Sequence, residues 1–363
     1  MESIEVIQVQ TNPKLFDGMQ SILNEAQPFI TSPSNLAEPY EIFPYIRAQH
    51  DEGVFVGSMI DLNVFTTLVK LGKGEDINGH ENEKLACALM YFFILSGILV
   101  EPNIALYERA QKSSHEQALE ELEFFRKADN IEPDIYAEIA LGKRSNLQGA
   151  RRIPRPPIVN EVPDDEFSKK LNHWRLNYLY LMKVVELVRT SGLTGQEKMK
   201  AFIQWMHEEM LLNNVVTHFV SMYFSPARES GMLKGIGSDN PEKLKAGLHN
   251  AAWDLTYLRR WQQNYRVNEP HDIWLFSTRD KALHKLAKHF FIAELDMLFT
   301  PYWDAEKATD LCNFYKTIAD QVHAENDRES RQKAVKENLD ALITEYEQKL
   351  NLGACRTNQT IIC

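Results

Sequence analysis

The sequence predicts an α/β protein built on a parallel sheet and interrupted by a long helical insertion. Two short apolar runs, 54–60 and 273–276, have the length of buried strands, and each precedes a segment with helical periodicity. Aspartates follow both runs, at Asp61 and Asp280. In open α/β sheets the functional crevice lies at the carboxyl ends of the strands, so these acids are predicted to meet there.

The composition is that of a globular protein with an acidic surface. The chain has 363 residues, of which 44% are hydrophobic and 25% charged, and no apolar run reaches the ~18 residues of a membrane span. It opens without a secretory signal, and its four cysteines form no CxxC pair, so a cytoplasmic protein is expected, with Cys87 as a core thiol. A net charge of −11 argues against a broad nucleic-acid-binding surface. Two local exceptions are the segment Arg151-Arg152-Ile153-Pro154-Arg155 and the pair Arg259-Arg260 on one helix.

The predicted elements follow in order along the chain. Residues 1–50 carry scattered prolines and predict an irregular, partly helical segment, and 51–128 form the first part of the α/β domain. Within that part we predict a strand at 54–60, helices at 62–71 and 82–97, a short strand at 98–100 and a helix from Pro102 toward 128. Gly97 is the predicted cap of the second helix.

The middle and the C-terminal part follow a different pattern. Residues 129–241 predict the helical insertion, with an exposed crossing segment at 145–165 and helices at about 166–190 and 195–224. Residues 242–300 return to the α/β pattern, with a helix at 242–265, a strand at 272–277 and a helix at 280–299. Residues 301–363 predict C-terminal helices, the last at about 326–350, and a tail. An insertion of this length is compatible with one α/β domain if its ends meet.

Three motifs carry a resemblance to a known family. A first strand ends in Met59-Ile60-Asp61-Leu62, a short strand leads through Val100-Glu101-Pro102 into a helix bearing Glu108, and a helix with Ala252-Trp253-Asp254-Leu255 precedes a strand that ends in Thr278-Arg279-Asp280. In this order and spacing the chain resembles a PIN-like (PilT N-terminus) domain nuclease. The insertion is large for that family.

The resemblance implies a fold, a reaction and a site. The implied fold is a PIN-like parallel sheet with helices on both faces, and the implied activity is metal-dependent hydrolysis of phosphodiester bonds, with RNA favoured over DNA as the substrate. The resemblance implies four acids as catalytic residues and as ligands of Mg²⁺ or Mn²⁺, namely Asp61, Glu108, Asp254 and Asp280. It also implies two polar residues, Asn63 and Thr278, that orient a ligand or a bound water. Those hard cations prefer carboxylate oxygens and activate water for hydrolysis. Glu101 is the alternative second acid, and Arg279 or Lys281 could meet the substrate phosphate.

Each acid also has a structural alternative. Asp61 could cap the following helix, Ser277 and Asp280 match a capping arrangement, Glu108 alone resembles a solvated helix residue, and Asp254 alone resembles a surface residue at the edge of an apolar stripe. A haloacid-dehalogenase-type phosphatase would need a second Asp where this chain has Asn63. From another class of function, a catalytically silent PIN-like scaffold would bind a protein partner through the helical insertion.

Overall fold

The protein forms two compact units of structure. A computed structural model describes residues 11–31, 39–129, 131–153, 163, 165–229, 231–267, 272–278, 280–288, 295–324 and 328–352. Unit 1 consists of Met1–Lys169 and Trp261–Asp280, and unit 2 of Lys170–Arg260 and Lys281–Cys363. No helix in these described ranges is both long and apolar enough to cross a membrane.

Unit 1 holds the sheet. Its helices and strands are α1 (Pro13–Ala26), β1 (Phe29–Ile30), α2 (Ile42–Asp51), β2 (Val56–Ile60), α3 (Leu62–Lys73), α4 (Glu81–Leu95), β3 (Leu99–Glu101), α5 (Asn103–Lys112), α6 (His115–Ala128), α7 (Pro133–Ala140) and β4 (Ile273–Ser277). A 3-10 turn at Glu166–Ser168 follows α7.

The four described strands form one mixed sheet in the order β1-β4-β2-β3. The central strand β2 is parallel to both β3 and β4, with Met59 opposite Glu101 and Ile60 opposite Ser277. These strands therefore present their carboxyl ends at one edge of the sheet, as predicted. The edge strand β1 is antiparallel to β4, which corrects the all-parallel prediction. A strand of two residues is too short to leave an alternating pattern in the sequence.

The core of unit 1 forms around an apolar helix. Every residue of α4 from Leu85 to Phe93 is buried, and α4 packs against α1, α3 and α7. Cys87 is a buried free thiol within this helix, as predicted. A helix that is apolar all round has no face left for water, which places α4 in the interior. Burying each large apolar side chain contributes about 1.5–3 kcal/mol.

One helix prediction and one strand prediction in unit 1 need correction. The helix predicted from Pro102 toward 128 is two helices, because α5 ends at Lys112 and Ser114 caps α6 by accepting a hydrogen bond from the Gln117 amide. A serine cap fixes an extended backbone at its own position, which interrupts helical geometry. The strand predicted at 98–100 lies one residue later, at Leu99–Glu101.

Unit 2 is helical throughout its described residues. Its helices are α8 (Asn172–Arg189), α9 (Gly195–Glu209), α10 (Asn214–Phe224), α11 (Pro241–Val267), α12 (Lys281–Ala287), α13 (Ala305–Ala324) and α14 (Arg328–Lys349), with a 3-10 turn at Leu295–Leu298. The division between units falls within α11, after Arg260. The bundle packs α8 against α9 and α14, and α9 against α10 and α13.

Three predicted helices in unit 2 differ from those observed. The helix predicted at 195–224 is broken because Asn213 caps a new helix, accepting from the amides of Val215 and Val216. The helix predicted at 166–190 begins at Asn172, after the 3-10 turn. The helix predicted at 280–299 ends at Ala287 in the described part, and 289–294 lie outside it. The tail beyond residue 352 is also outside the described residues.

One glycine of unit 2 is required by close packing. Gly247 lies on α11, and a Cβ added there would be 1.7 Å from the carbonyl oxygen of Lys234. We expect Gly247→Ala to lower the free energy of unfolding by about 1–3 kcal/mol, because the backbone must move apart. Alanine for glycine in an unconstrained helix instead stabilises by about 0.5–1 kcal/mol, so the sign is diagnostic.

Urea unfolding of Gly247→Ala beside Gly237→Ala measures this effect. Gly237 is the matched control, because nothing lies within 4 Å of an added Cβ there and its backbone does not require glycine. The control should change stability by less than about 0.5 kcal/mol. Equal stability of the two variants would show that the contact between α11 and Lys234 is not tight.

Candidate functional site

Asp61 lies at the carboxyl edge of the sheet, between β2 and α3. Its amide donates to the carbonyl of Ser277 at 3.1 Å, which extends the pairing of β2 with β4 by one residue. Its carboxylate accepts from the amide of Val64 at 2.9 Å and caps α3. The capping alternative for Asp61 is therefore confirmed, although a cap does not use every lone pair of a carboxylate.

The Asp61 carboxylate is also in an unfavourable place for a negative charge. It is only 9% exposed, and burial raises its pKa from the ordinary value of 3.8 to about 6. Hydrogen bonds from the Val64 amide, the Thr278 side chain and the Asn63 side chain lower the pKa, and the negative charge of Glu108 raises it. Four residues predicted for the site, Asp61, Asn63, Glu108 and Thr278, are thus brought together in unit 1.

Glu108 is buried rather than solvated, so its structural alternative is wrong. The residue is 6% exposed on α5, which packs against β2. Its carboxylate accepts from the Lys112 ammonium, one helical turn later, at 2.7 Å. A lysine four residues after a glutamate forms an ion pair on a helix, and this spacing can be recognised in the sequence. Lys112 is the residue of this site that the motifs alone did not identify.

Thr278 and Asp280 follow β4 at the same edge. Thr278 is 1% exposed, and its hydroxyl accepts from the backbone amide of Asp280 at 3.2 Å. Ser277 is the last residue of β4, and its hydroxyl shares a 2.9 Å hydrogen bond with Ser58. The predicted capping arrangement of Ser277 with Asp280 is wrong, because the helix α12 starts only at Lys281 and Asp280 directly precedes it.

Glu101, the alternative second acid, has other contacts. Its two carboxylate oxygens accept from the side-chain amides of Asn103 at 2.9 Å and Asn264 at 3.2 Å. Asn264 is a buried residue of α11 that also contacts the Met59 sulfur. Glu101 therefore joins β3 to α11, whereas Glu108 is the acid whose charge acts on Asp61.

The remaining predicted residues are placed as follows. Asp254 is half-buried on α11 within unit 2, between the buried side chains of Trp253 and Leu255, and Lys281 is exposed at the start of α12. Arg279 lies outside the described residues. Across the parts of the chain that the structure describes, no group of three or more His, Cys, Asp or Glu side chains is arranged to hold a metal ion.

One stretch of the chain is similar to a known protein. No protein-family profile and no solved structure matches the chain. The chain is similar to the regulatory protein RecX of Clostridium acetobutylicum, with 26% identity over 156 residues, which span 42% of this chain and 68% of that protein.

Proposed function

We propose that this protein is a metal-dependent nuclease of the PIN-like type that hydrolyses phosphodiester bonds, with RNA as its substrate. The observation that supports the proposal is that Asp61 and Glu108 interact at the carboxyl edge of the parallel strands, where burial and, to a smaller extent, the charge of Glu108 raise the pKa of Asp61. Both residues are buried, and the Glu108 carboxylate pairs with the Lys112 ammonium at 2.7 Å, so it is the Asp61 carboxylate whose charge is disfavoured. Such arrangements are typical of functional sites.

The chemistry of the donor set suits a hard divalent cation. Mg²⁺ binds through one or two carboxylates and keeps several waters, so Asp61 and Glu108 supply enough protein ligands for it. Asp280 is the further ligand in unit 1 that the family resemblance implies. A bound Mg²⁺ or Mn²⁺ ion would supply charge neutralisation for the scissile phosphate and a water of lowered pKa.

The side chains of this chain have distinct roles in the proposal. Asp61 and Glu108 carry the negative charge, while the hydrogen bonds from Thr278 and Asn63 fix the orientation of the Asp61 carboxylate. Asn63 is exposed, so the hydrogen-bonded group extends from buried Thr278 toward solvent. That exposure gives a phosphodiester a route to the carboxylates. Lys281 is an exposed cation that follows Asp280 and can meet the substrate phosphate.

A second candidate function is a catalytically silent PIN-like scaffold that binds a protein partner through the helical insertion. Asp61 already has a structural task as the cap of α3, and the described residues contain no three-ligand metal group. The similarity to a protein named as regulatory is in keeping with a non-catalytic role. This candidate predicts a folded protein that cuts no nucleic acid with any metal.

Cleavage of labelled single-stranded RNA distinguishes the two candidates. We expect wild-type protein to cut in Mn²⁺ or Mg²⁺ and not in EDTA, and Asp280→Asn to lose the activity. The matched control is Asp272→Asn, because Asp272 flanks the opposite end of β4 and accepts from the Phe55 amide at 3.3 Å. Asparagine keeps an acceptor oxygen there, so this variant should cut like wild type.

Two results would count against the metal-dependent nuclease, and a third against the role of Asp280. A folded wild-type protein that cuts under no metal supports the scaffold. Cutting that persists in EDTA contradicts the metal dependence. Equal activity of Asp280→Asn and Asp272→Asn removes Asp280 from the site.

A further inference from the structure

A network of polar side chains joins three helices of unit 1 beside the acids Asp61 and Glu108. Arg109 lies on α5, directly after Glu108, and its guanidinium donates to the hydroxyl of Thr66 on α3 at 2.9 Å. The Thr66 hydroxyl in turn donates to the carbonyl of Leu62 at 2.7 Å. Leu62 directly follows Asp61, so the network reaches the neighbouring residue of each acid.

A buried ion pair fixes the network on its other side. The Nε atom of Arg109 lies 2.7 Å from a carboxylate oxygen of Glu121 on α6, and the two side chains are only 19% and 5% exposed. The other carboxylate oxygen of Glu121 accepts from the side-chain amide of Gln117 at 2.9 Å. Since α3, α5 and α6 also pack pairwise against one another, the guanidinium is held by contacts with all three helices.

Packing alone does not explain why charged side chains join these helices. Taking a guanidinium and a carboxylate out of water costs much of the energy that their pairing returns, and apolar side chains of similar volume often hold a core equally well. What the charged network adds is direction, because a guanidinium is planar and presents its N–H groups at fixed angles. Its bonds to Thr66 and Glu121 therefore set the rotation of α5 relative to α3. That rotation decides where the neighbouring Glu108 side chain points.

We propose that Arg109 is a positioning residue, which fixes the Glu108 carboxylate relative to Asp61 so that both can bind one divalent cation. The inference rests on the proposed function, because it assigns the network to the same two acids. Arg109 acts through Glu108, since its own guanidinium is engaged by Thr66 and Glu121. Loss of such a supporting contact behind a metal ligand costs about 10–100-fold in metal affinity or activity.

Calorimetric titration of the metal-free protein with Mn²⁺ tests the proposal without RNA. Thr66→Val removes the acceptor of Arg109 and should weaken Mn²⁺ binding about tenfold. The kcat for RNA cleavage should fall by a similar factor with KM unchanged, because RNA binding itself is not altered. Thr66→Ser keeps the hydroxyl and should behave like wild type. The matched control is Thr67→Val, because the Thr67 hydroxyl donates to the Asn63 carbonyl at 3.2 Å, a bond within α3 rather than to α5.

A second variant separates positioning from stability. Arg109→Met/Glu121→Leu replaces the ion pair by apolar side chains, which should leave the melting temperature unchanged or raised. Mn²⁺ binding should nevertheless weaken about tenfold or more, because the direction imposed by the guanidinium is lost. A network that only stabilises the fold predicts the opposite result, namely a lower melting temperature and unchanged Mn²⁺ affinity of the folded protein.

The outcomes distinguish this inference from the proposed function. Weaker Mn²⁺ binding in Thr66→Val and in the double variant, but not in Thr67→Val, supports the inference. If wild type binds Mn²⁺ and cuts RNA, and Thr66→Val does so equally well, the inference is wrong and the nuclease stands. Equal weakening in both valine variants also overturns the inference, because the loss then comes from the bond within the helix. Wild-type protein that neither binds Mn²⁺ nor cuts RNA overturns the proposed function and the inference together.

Discussion

The variant Asp61→Asn is expected to lose nuclease activity and yet to melt at a higher temperature than wild type at neutral pH. Activity should fall by more than about 100-fold, because loss of the outer partners of a metal site already costs 10–100-fold. Asparagine caps a helix about as well as aspartate, so α3 keeps its cap. What the substitution removes is a buried negative charge that faces Glu108.

The pH dependence gives the sign of this stability change. Asp61 has a pKa of about 6 in the folded protein and an ordinary value of 3.8, so the folded state favours its protonated form. The contribution of the Asp61 carboxyl group to the free energy of unfolding is fully present below pH 3.8 and is lost as the pH rises through 6. The loss corresponds to ~3 kcal/mol above that range. Asp61→Asn should therefore match wild type near pH 4 and exceed it by about 1–3 kcal/mol at pH 7.5.

Thermal and chemical unfolding between pH 4 and 7.5 measure the difference. The control is Asp61→Ala, which also removes the charge but leaves the Val64 amide without its acceptor. It should be less stable than Asp61→Asn by ~1 kcal/mol at every pH. A fall in the melting temperature of Asp61→Asn at pH 7.5, together with retained cleavage, would show that Asp61 serves only as a cap.

The second large effect on activity is expected for a substitution of Glu108 and not for one of Glu101. Glu108→Gln is expected to abolish cleavage, with a loss of more than about 100-fold, because the charge of Glu108 is the one that acts on Asp61. Glu101→Gln should keep most of the activity. Its side chain accepts from Asn103 and Asn264, and glutamine preserves one of those hydrogen bonds. The cost to stability is then ~1 kcal/mol.

A spectroscopic measurement shows whether the effect of Glu108 is electrostatic. Removing a neighbouring negative charge lowers the pKa of a carboxylate, so the carboxyl ¹³C titration of Asp61 should shift to lower pH in Glu108→Gln. It should stay in place in Glu101→Gln. If instead Glu101→Gln abolishes cleavage and moves the titration of Asp61, the second acid is Glu101 and the assignment to Glu108 is wrong.

The sequence alone determined the strands β2 and β4, the apolar helix α4 and the acids that follow the two strands. Apolar runs of strand length and 3- or 4-residue periodicity are local patterns, so β2, β4 and the apolar helix α4 could be predicted from neighbouring residues. The break at Ser114 and the cap at Asn213 were missed, although both residues are common caps. A single polar residue is a weaker signal than the longer apolar pattern around it, so the sequence predicts one continuous helix at each of these places.

The tertiary structure decided which acids meet. The sequence favoured Glu108 and kept Glu101 as the alternative, and it is the parallel register and the packing of α5 on β2 that bring the charge of Glu108 to Asp61. Charges far apart in sequence interact only through the packing of whole elements. No local pattern of residues contains that information, because burial and distance are properties of the folded chain.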